Sequence, residues 1–224
     1  MSTPPDRIVE LACATARQAV CQKSKRGVVV YETITRLMDP GLKQDLVVPL
    51  GAGFNGPPAP IACDGTDACR KDCPQIAVHA ERRAIDSALL RRPAGGFLAS
   101  DLLHVKVDAS GELVPTGSPS CAECSKQLLD VGIRGVWLFE PTDCPSANCP
   151  MCNGEYCAIC ITRACDHAVD ERHEGAQPPQ GEWRYYPSFE FHTLTLAHER
   201  NRLYRGPITG TAQLLANKLA KGTP

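Results

Sequence analysis

The sequence predicts an α/β fold, a three-layer α/β/α sandwich with a mixed central sheet. Three observations carry that expectation. Segments with apolar residues at helical spacing alternate with short β-branched runs, in the order helix, strand, strand, helix, strand, helix, strand. Strands that alternate with helices need a sheet covered on both faces and at least one parallel pairing. The residues best suited to hold a metal stand at the starts of two of the helices, where ligands bind in such sheets.

Thr3-Pro4-Pro5 gives a helix start, and Ile8, Leu11, Ala12, Ala16 and Ala19 follow at helical spacing as a packing stripe. Lys25-Arg26-Gly27 opens the run Val28 to Tyr31, short enough for a buried strand. Residues 33 to 44, with Asp39-Pro40-Gly41, break the pattern, and Leu46-Val47-Val48 resumes as a second strand that Pro49 should end. The two strands form a hairpin with a longish connection. Gly51 to Pro60 reads as a loop whose glycines would let backbone approach a ligand closely. A polar connection with Cys63, Cys69 and Cys73 leads to a helix striped by Ala80, Ala84, Ile85, Ala88 and Leu89. Leu102 to Val107 is a strand, and His104 on it reads as structural. After a turn at Ser110-Gly111-Glu112, a second helix starts near Cys121, with Leu128 and Leu129 on the face begun at Cys124. Gly132 suits its cap, and Arg134 to Glu140 gives a further strand holding Val136, Leu138 and Phe139.

The two helix starts carry His79-Ala80-Glu81 and Pro119-Ser120-Cys121-Ala122-Glu123-Cys124. Cys121 and Cys124 are one helical turn apart, so their sulfurs can converge on a single ion, and a helix N-terminus favours the thiolate that binds metal. With His79 they make three protein ligands, the number expected when zinc keeps a fourth position for water. Glu81, two residues from His79, is close enough to reach such a water without binding the metal. Zinc lowers the pKa of its water from ~16 towards roughly 7, and a neighbouring carboxylate can carry the proton.

His-x-Glu followed by Pro-(x)-Cys-x-x-Cys resembles the signature of zinc-dependent nucleoside and nucleobase deaminases, the cytidine deaminase-like superfamily. Within it the chain is most similar to the deoxycytidylate deaminase branch, because Gly51-Ala52-Gly53-Phe54-Asn55-Gly56-Pro57-Pro58 looks like that branch's Gly-Tyr-Asn-Gly-x-Pro segment. The resemblance covers roughly residues 8 to 140 and implies the sandwich fold. It implies catalytic zinc on His79, Cys121 and Cys124, Glu81 as proton carrier, and substrate contacts from Asn55, Ala80, Pro119 and Ser120. It also implies that the linker cysteines can serve a second, structural zinc. One departure is that Ser120 stands between Pro119 and Cys121, where the family has Pro directly before the first Cys. The ligand spacing is intact, so the departure bears on the substrate contacts.

At 224 residues the chain has room for one buried domain and an appendage, and a net charge of −1 provides no global basic field for duplex nucleic acid or anionic membrane. A free small-molecule nucleotide or nucleoside is the expected partner. Without an apolar run of ~18 residues or the layout of a signal peptide, the expected location is cytoplasmic. Thirteen cysteines in such a setting point to metal more than to disulfides. Cys144, Cys149, Cys152, Cys157, Cys160 and Cys165 are the densest group, and Cys149, Cys152, Cys157 and Cys160 are the candidate ligands of a structural zinc, with an iron-sulfur cluster as the alternative. Residues 171 to 182 read as linker. Trp183 to Phe191 concentrates aromatics that pack on the sheet or, alternatively, stack on a base. Helices are expected over 192 to 203 and 209 to 220, where Leu214, Leu215 and Leu219 suggest a docking face and a homo-oligomer.

The expected division is a deaminase core at 1–141, a Cys-rich metal-binding insert at 142–170 and a C-terminal aromatic and helical segment at 171–224 packed on the core. The expected activity is hydrolytic deamination of a cytosine nucleotide or nucleoside, deoxycytidylate-like, to the uracil product and ammonia. An alternative acts on a base in single-stranded DNA or RNA, with Arg82, Arg83, Arg91 and Arg92 as groove candidates, or on another modified nucleobase. A non-catalytic zinc-binding module is a further alternative, against which Glu81 argues, since zinc ligation alone needs no carboxylate there.

Overall fold

The computed structural model describes residues 3–22, 24–39, 42–92, 96–116, 119–141 and 181–204. The Cys-rich segment with Cys149, Cys152, Cys157 and Cys160, and the helix expected over 209–220, lie outside them.

Six strands form one mixed sheet in the order β2-β1-β3-β5-β6, with β4 paired to β3. These are β1 (Lys25–Asp39), β2 (Leu42–Phe54), β3 (Ser100–Val107), β4 (Leu113–Val114), β5 (Gly135–Pro141) and β6 (Gly181–Pro187). The pairing of β3 with β5 is parallel, His104 opposite Leu138, and the others are antiparallel. Helix α1 (Asp6–Arg17) covers one face, where Ile8, Ala12 and Ala16 pack on Val29, Leu103 and Val105. Helices α3 (Ala80–Arg91), α4 (Ala122–Asp130) and α5 (Ser188–Tyr204) cover the other, where Ala84, Ile85, Leu128 and Phe191 pack on Val28, Val30, Leu102 and Val136. The result is the expected α/β/α sandwich, and alternate residues of β3 enter opposite cores because successive side chains point to opposite faces.

The hairpin differs from the sequence expectation. Residues 33 to 39 and 42 to 46 continue β1 and β2 instead of breaking them, with Thr35 donating to Asp45 Oδ1 across the pair at 2.7 Å. Their apolar residues, Ile34, Leu37 and Leu46, are exposed, so the core pattern ends near Glu32 while backbone pairing carries the ladder onward. Gly51 and Gly53 belong to β2, and their bareness serves a helix. A Cβ on Gly51 would sit 2.3 Å from the Ala84 carbonyl oxygen, and one on Gly53 would sit 2.5 Å from the Ala84 nitrogen. The cysteine-bearing connection also contains a helix the sequence reading lacked, α2 (Asp67–Ile76), which Thr66 caps by accepting the Cys69 N–H at 3.2 Å.

Helix α4 ends as the sequence suggested. Gly132 takes φ +79°, its N–H bonds Leu129 O and the Ile133 N–H bonds Leu128 O, closing the last turn. The aromatic run becomes edge strand β6. Trp183 and Tyr185 meet Phe139 and Trp137 at 5.1 and 4.9 Å between ring centroids, on the α1 face. Those two rings therefore pack, tilted 55° to their partners, on the sheet face opposite the one that α3 and α4 cover.

Arg92, which caps α3, pairs with Glu32 of β1, a residue 6% exposed, and Ser100 Oγ donates to the same carboxylate at 3.0 Å. The Arg92 hydrogen bond, helped by Ser100, holds the Glu32 carboxyl below its ordinary value in spite of burial. A depressed carboxyl contributes stability above the ordinary carboxylate range and loses it as pH falls through the folded value. Glu32→Gln should therefore cost about 1–3 kcal/mol in urea unfolding at neutral pH. The gap from the parent protein should close as the pH is lowered below the ordinary range.

Candidate active site

His79 is the N-cap of α3, extended at ψ 152° and following Val78, whose backbone pairs with Gly56. Cys121 is the N-cap of α4, and its sulfur accepts the Cys124 N–H at 3.4 Å. Because α3 and α4 lie on the same sheet face and start at the same end, residues 42 and 45 positions apart meet. His79 Nδ1 is 3.1 Å from Cys121 Sγ and 3.3 Å from Cys124 Sγ, and the three ligand atoms lie within 4.8 Å of one another. The hydrogen bond from Cys124, together with His79, pulls the Cys121 thiol down to about 4 against its partial burial. Cys124 moves the other way, raised by its contact with Cys121 and by burial. An imidazole and two sulfurs at helix N-termini, one of them a thiolate, are the soft donor set that suits zinc.

Glu81, one residue inside α3, is 4% exposed. Ser120 Oγ donates to its Oε1 at 2.6 Å, and His104 Nδ1 lies 3.7 Å from the same oxygen. Burial pushes the Glu81 carboxyl up, while positive charge at His104, the Ser120 hydroxyl and the backbone N–H of Glu81 act to pull it down. His104 itself is pushed down to about 4, mainly by burial and further by Arg26, so it is a neutral imidazole at neutral pH. Glu81 is thus a buried carboxyl group held by hydrogen bonds, of the kind that can accept a proton and return it.

The other residues singled out in the sequence are placed as follows. Ala80 is buried in the core beneath α3. Pro119 has its backbone beside the His104 ring, and Ser120 turns to Glu81. Asn55, at the end of β2, accepts the Arg26 N–H at 2.7 Å and donates to Ser24 O at 2.8 Å. Its amide splices β2 to the start of β1 and keeps one N–H and one lone pair in reserve. The four groove arginines all have partners within the chain. Arg83 donates to the carbonyls of Phe54, Gly56 and Pro57 and lies over the Phe54 ring at 5.1 Å. Arg82 pairs with Asp86, Arg91 bonds Pro49 O at 3.5 Å, and Arg92 holds Glu32.

Two residues of the site had no role in the sequence reading. Arg26 reaches His104 Nε2 at 3.3 Å and Thr116 O at 3.0 Å, and His104 is the imidazole behind Glu81. His104 had a legible signal, since the period-two alternation puts it with Leu102 on the sheet face that α3 covers. Arg26 had none, because a basic residue at a strand start is ordinarily solvated.

No family model matches the chain, and no curated protein does. Among solved structures it is similar to dCMP deaminase from the cyanophage S-TIM5 in apo form, at 17% identity over 58% of this chain and 78% of that one, with a TM-score of 0.36. The same enzyme in complex with dCMP and dUMP aligns at 18% identity over 58% and 76%, with a TM-score of 0.39. Cytidine deaminase from Burkholderia pseudomallei aligns at 14% identity over 84% of this chain and 95% of that one, with a TM-score of 0.40.

Proposed function

We propose that this protein is a hydrolytic deaminase that removes the exocyclic amine of a free cytosine nucleotide or nucleoside, using zinc held by His79, Cys121 and Cys124. The observation that carries it is the meeting of this donor set with a buried carboxylate that lies beside it and outside it. Bound there, zinc would supply Lewis acidity, bringing the pKa of a water towards roughly 7. Glu81 would carry one proton of the attacking water to the ring nitrogen and then the second, from the hydroxyl so formed, to the departing amine, so that the C–N bond breaks, the ring carbonyl forms and ammonia leaves. The dry pocket keeps this carboxylate from exchanging its proton with bulk solvent. A free nucleotide or nucleoside is favoured over a polynucleotide because Arg82, Arg83, Arg91 and Arg92 have partners inside the chain. A protein that tracks a phosphate backbone generally presents clustered cations free to meet it.

A screen of cytosine, adenine and guanine nucleosides, nucleotides and oligonucleotides for ammonia release tests the substrate class. Turnover of oligonucleotides alone, with steep salt dependence, would replace the free-nucleotide reading. Glu81→Gln should lower kcat by about 10²–10⁴-fold while zinc content by mass spectrometry stays unchanged. Near-normal turnover in that variant would sink the assignment.

The same reading includes a structural zinc in the connection before α3. Cys63 Sγ and Cys69 Sγ are 3.7 Å apart, close to the roughly 3.8 Å between two sulfurs sharing a tetrahedral zinc at 2.3 Å. The buried Cys21 hydrogen-bonds Cys63, and Cys73 follows Cys69 by one helical turn. All four line one cavity of about 210 Å³, in which no third ligand atom among the described residues lies within 4.8 Å of both the Cys63 and Cys69 sulfurs. Such an ion would staple α2 and its exposed loop to the end of α1, where little apolar core does so. Replacing Cys21 and Cys69 together by Ser should lower the zinc count in native mass spectrometry by one ion per chain. An unchanged count would remove this site.

A further inference from the structure

Two side chains meet one oxygen of the Glu81 carboxylate. Ser120 Oγ lies 2.6 Å from Oε1, and His104 Nδ1 faces the same atom at 3.7 Å. Ser120 also stands where the sequence departs from the Pro-Cys pattern, so its hydroxyl is a feature of this chain. His104 is 1% exposed, and its Nδ1 has no hydrogen-bond partner of good geometry.

The ring's protonation pattern follows from its other side. Arg26 Nη1 is 3.3 Å from His104 Nε2, and a guanidinium has donors only. Nε2 must therefore accept, and the ring proton sits on Nδ1, on the side shared by Glu81 Oε1 at 3.7 Å and the Pro119 backbone. Arg26 is fixed in turn by the bond from Nη2 to Thr116 O at 3.0 Å and, through its backbone N–H, by Asn55 Oδ1 at 2.7 Å. An oriented chain of donors thus runs from a buried cation on β1 through an imidazole on β3 to the carboxylate on α3.

We propose that Ser120 and His104 are positioning residues for Glu81, both directing a donor at Oε1 so that Oε2 is the oxygen that moves the proton, and that Ser120 acts through Glu81 and not on the substrate. This rests on the deaminase reading of the site. A hydrogen bond from a neutral hydroxyl to a buried carboxylate is short and strong, and it fixes the carboxylate rotamer. The imidazole closes off the direction from which Oε1 would otherwise turn. Catalysis is sensitive to such placement, since a misplacement of about 1 Å can cost on the order of a hundredfold.

Steady-state kinetics of Ser120→Ala, Ser120→Thr, His104→Asn and His104→Gln, with zinc content measured for each, test the idea. Ser120→Ala should lower kcat about ten- to a hundredfold with KM within about twofold, and Ser120→Thr should restore most of the loss. Zinc content should be unchanged throughout. His104→Asn, which keeps an N–H near the place of Nδ1, should retain more kcat than His104→Gln, which keeps only a group towards Arg26. Unchanged kcat in Ser120→Ala, or a raised KM at unchanged kcat, would overturn the proposal, the second outcome making Ser120 a substrate contact. Nitrogen NMR of the His104 ring provides a readout independent of turnover. The proton should reside on Nδ1, and that resonance should move in Glu81→Gln. A proton on Nε2, or a resonance indifferent to Glu81, would also overturn it. A parent protein that releases no ammonia from any substrate would defeat the deaminase reading, while the ring spectrum would still decide the Ser120 and His104 geometry.

Discussion

The site depends on how closely α3 can lie on the hairpin. Gly51 and Gly53 leave β2 bare where Ala84 and Ala88 press on it, so helix and strand meet backbone to backbone. Any Cβ at either glycine would overlap main-chain atoms of α3, and a packed interior has no slack to absorb such a shift. That contact sets the height of the first turn of α3, and with it His79 and Glu81. Arg83, one turn into the helix, reinforces it by gathering the carbonyls of Phe54, Gly56 and Pro57. The chain leaving β2 is thereby tied to the helix that carries the carboxylate.

With α3 placed, α4 needs only to begin at the same end of the sheet. The crossover from β3 to the parallel strand β5 runs through α4, which puts α4 on the face shared with α3. Parallel connection, common face and common end together bring two sulfurs to an imidazole 42 and 45 residues distant. The helix N-termini then add a favourable field for thiolate, so the geometry that collects these candidate ligands also favours their charged form.

Electrostatics within the pocket are a balance between burial and a few donors. Glu81 and Arg26 are opposite charges in the interior with His104 between them, and each pole has its own hydrogen bonds. A buried charge without partners would neutralise itself or unfold its surroundings, and the two poles separated by an imidazole avoid both outcomes. Asn55 takes part indirectly, because it fixes the backbone from which Arg26 reaches inward.

How much of this was legible in the sequence follows from the range of each interaction. The sandwich, the helix starts at His79 and Cys121, the trio of candidate metal ligands and the nearby Glu81 could be read from local spacing, because periodicity and one-turn separations are properties of the chain itself. The length of the hairpin could not, since beyond Glu32 it is carried by backbone pairing that leaves no apolar alternation. The glycines of β2 were visible, but whether they admit a ligand or a helix depended on what packs there. Ser120 and His104 gained their place beside Glu81, and Arg83 its hold on the β2 exit, only when α3, α4 and β3 came together. Sequence by itself determined which groups this protein has for chemistry and where its helices begin. Tertiary structure alone decided which oxygen of Glu81 is held and which arginines are spent inside, because a hydrogen bond between residues 39 or 78 positions apart leaves no periodic trace in the chain.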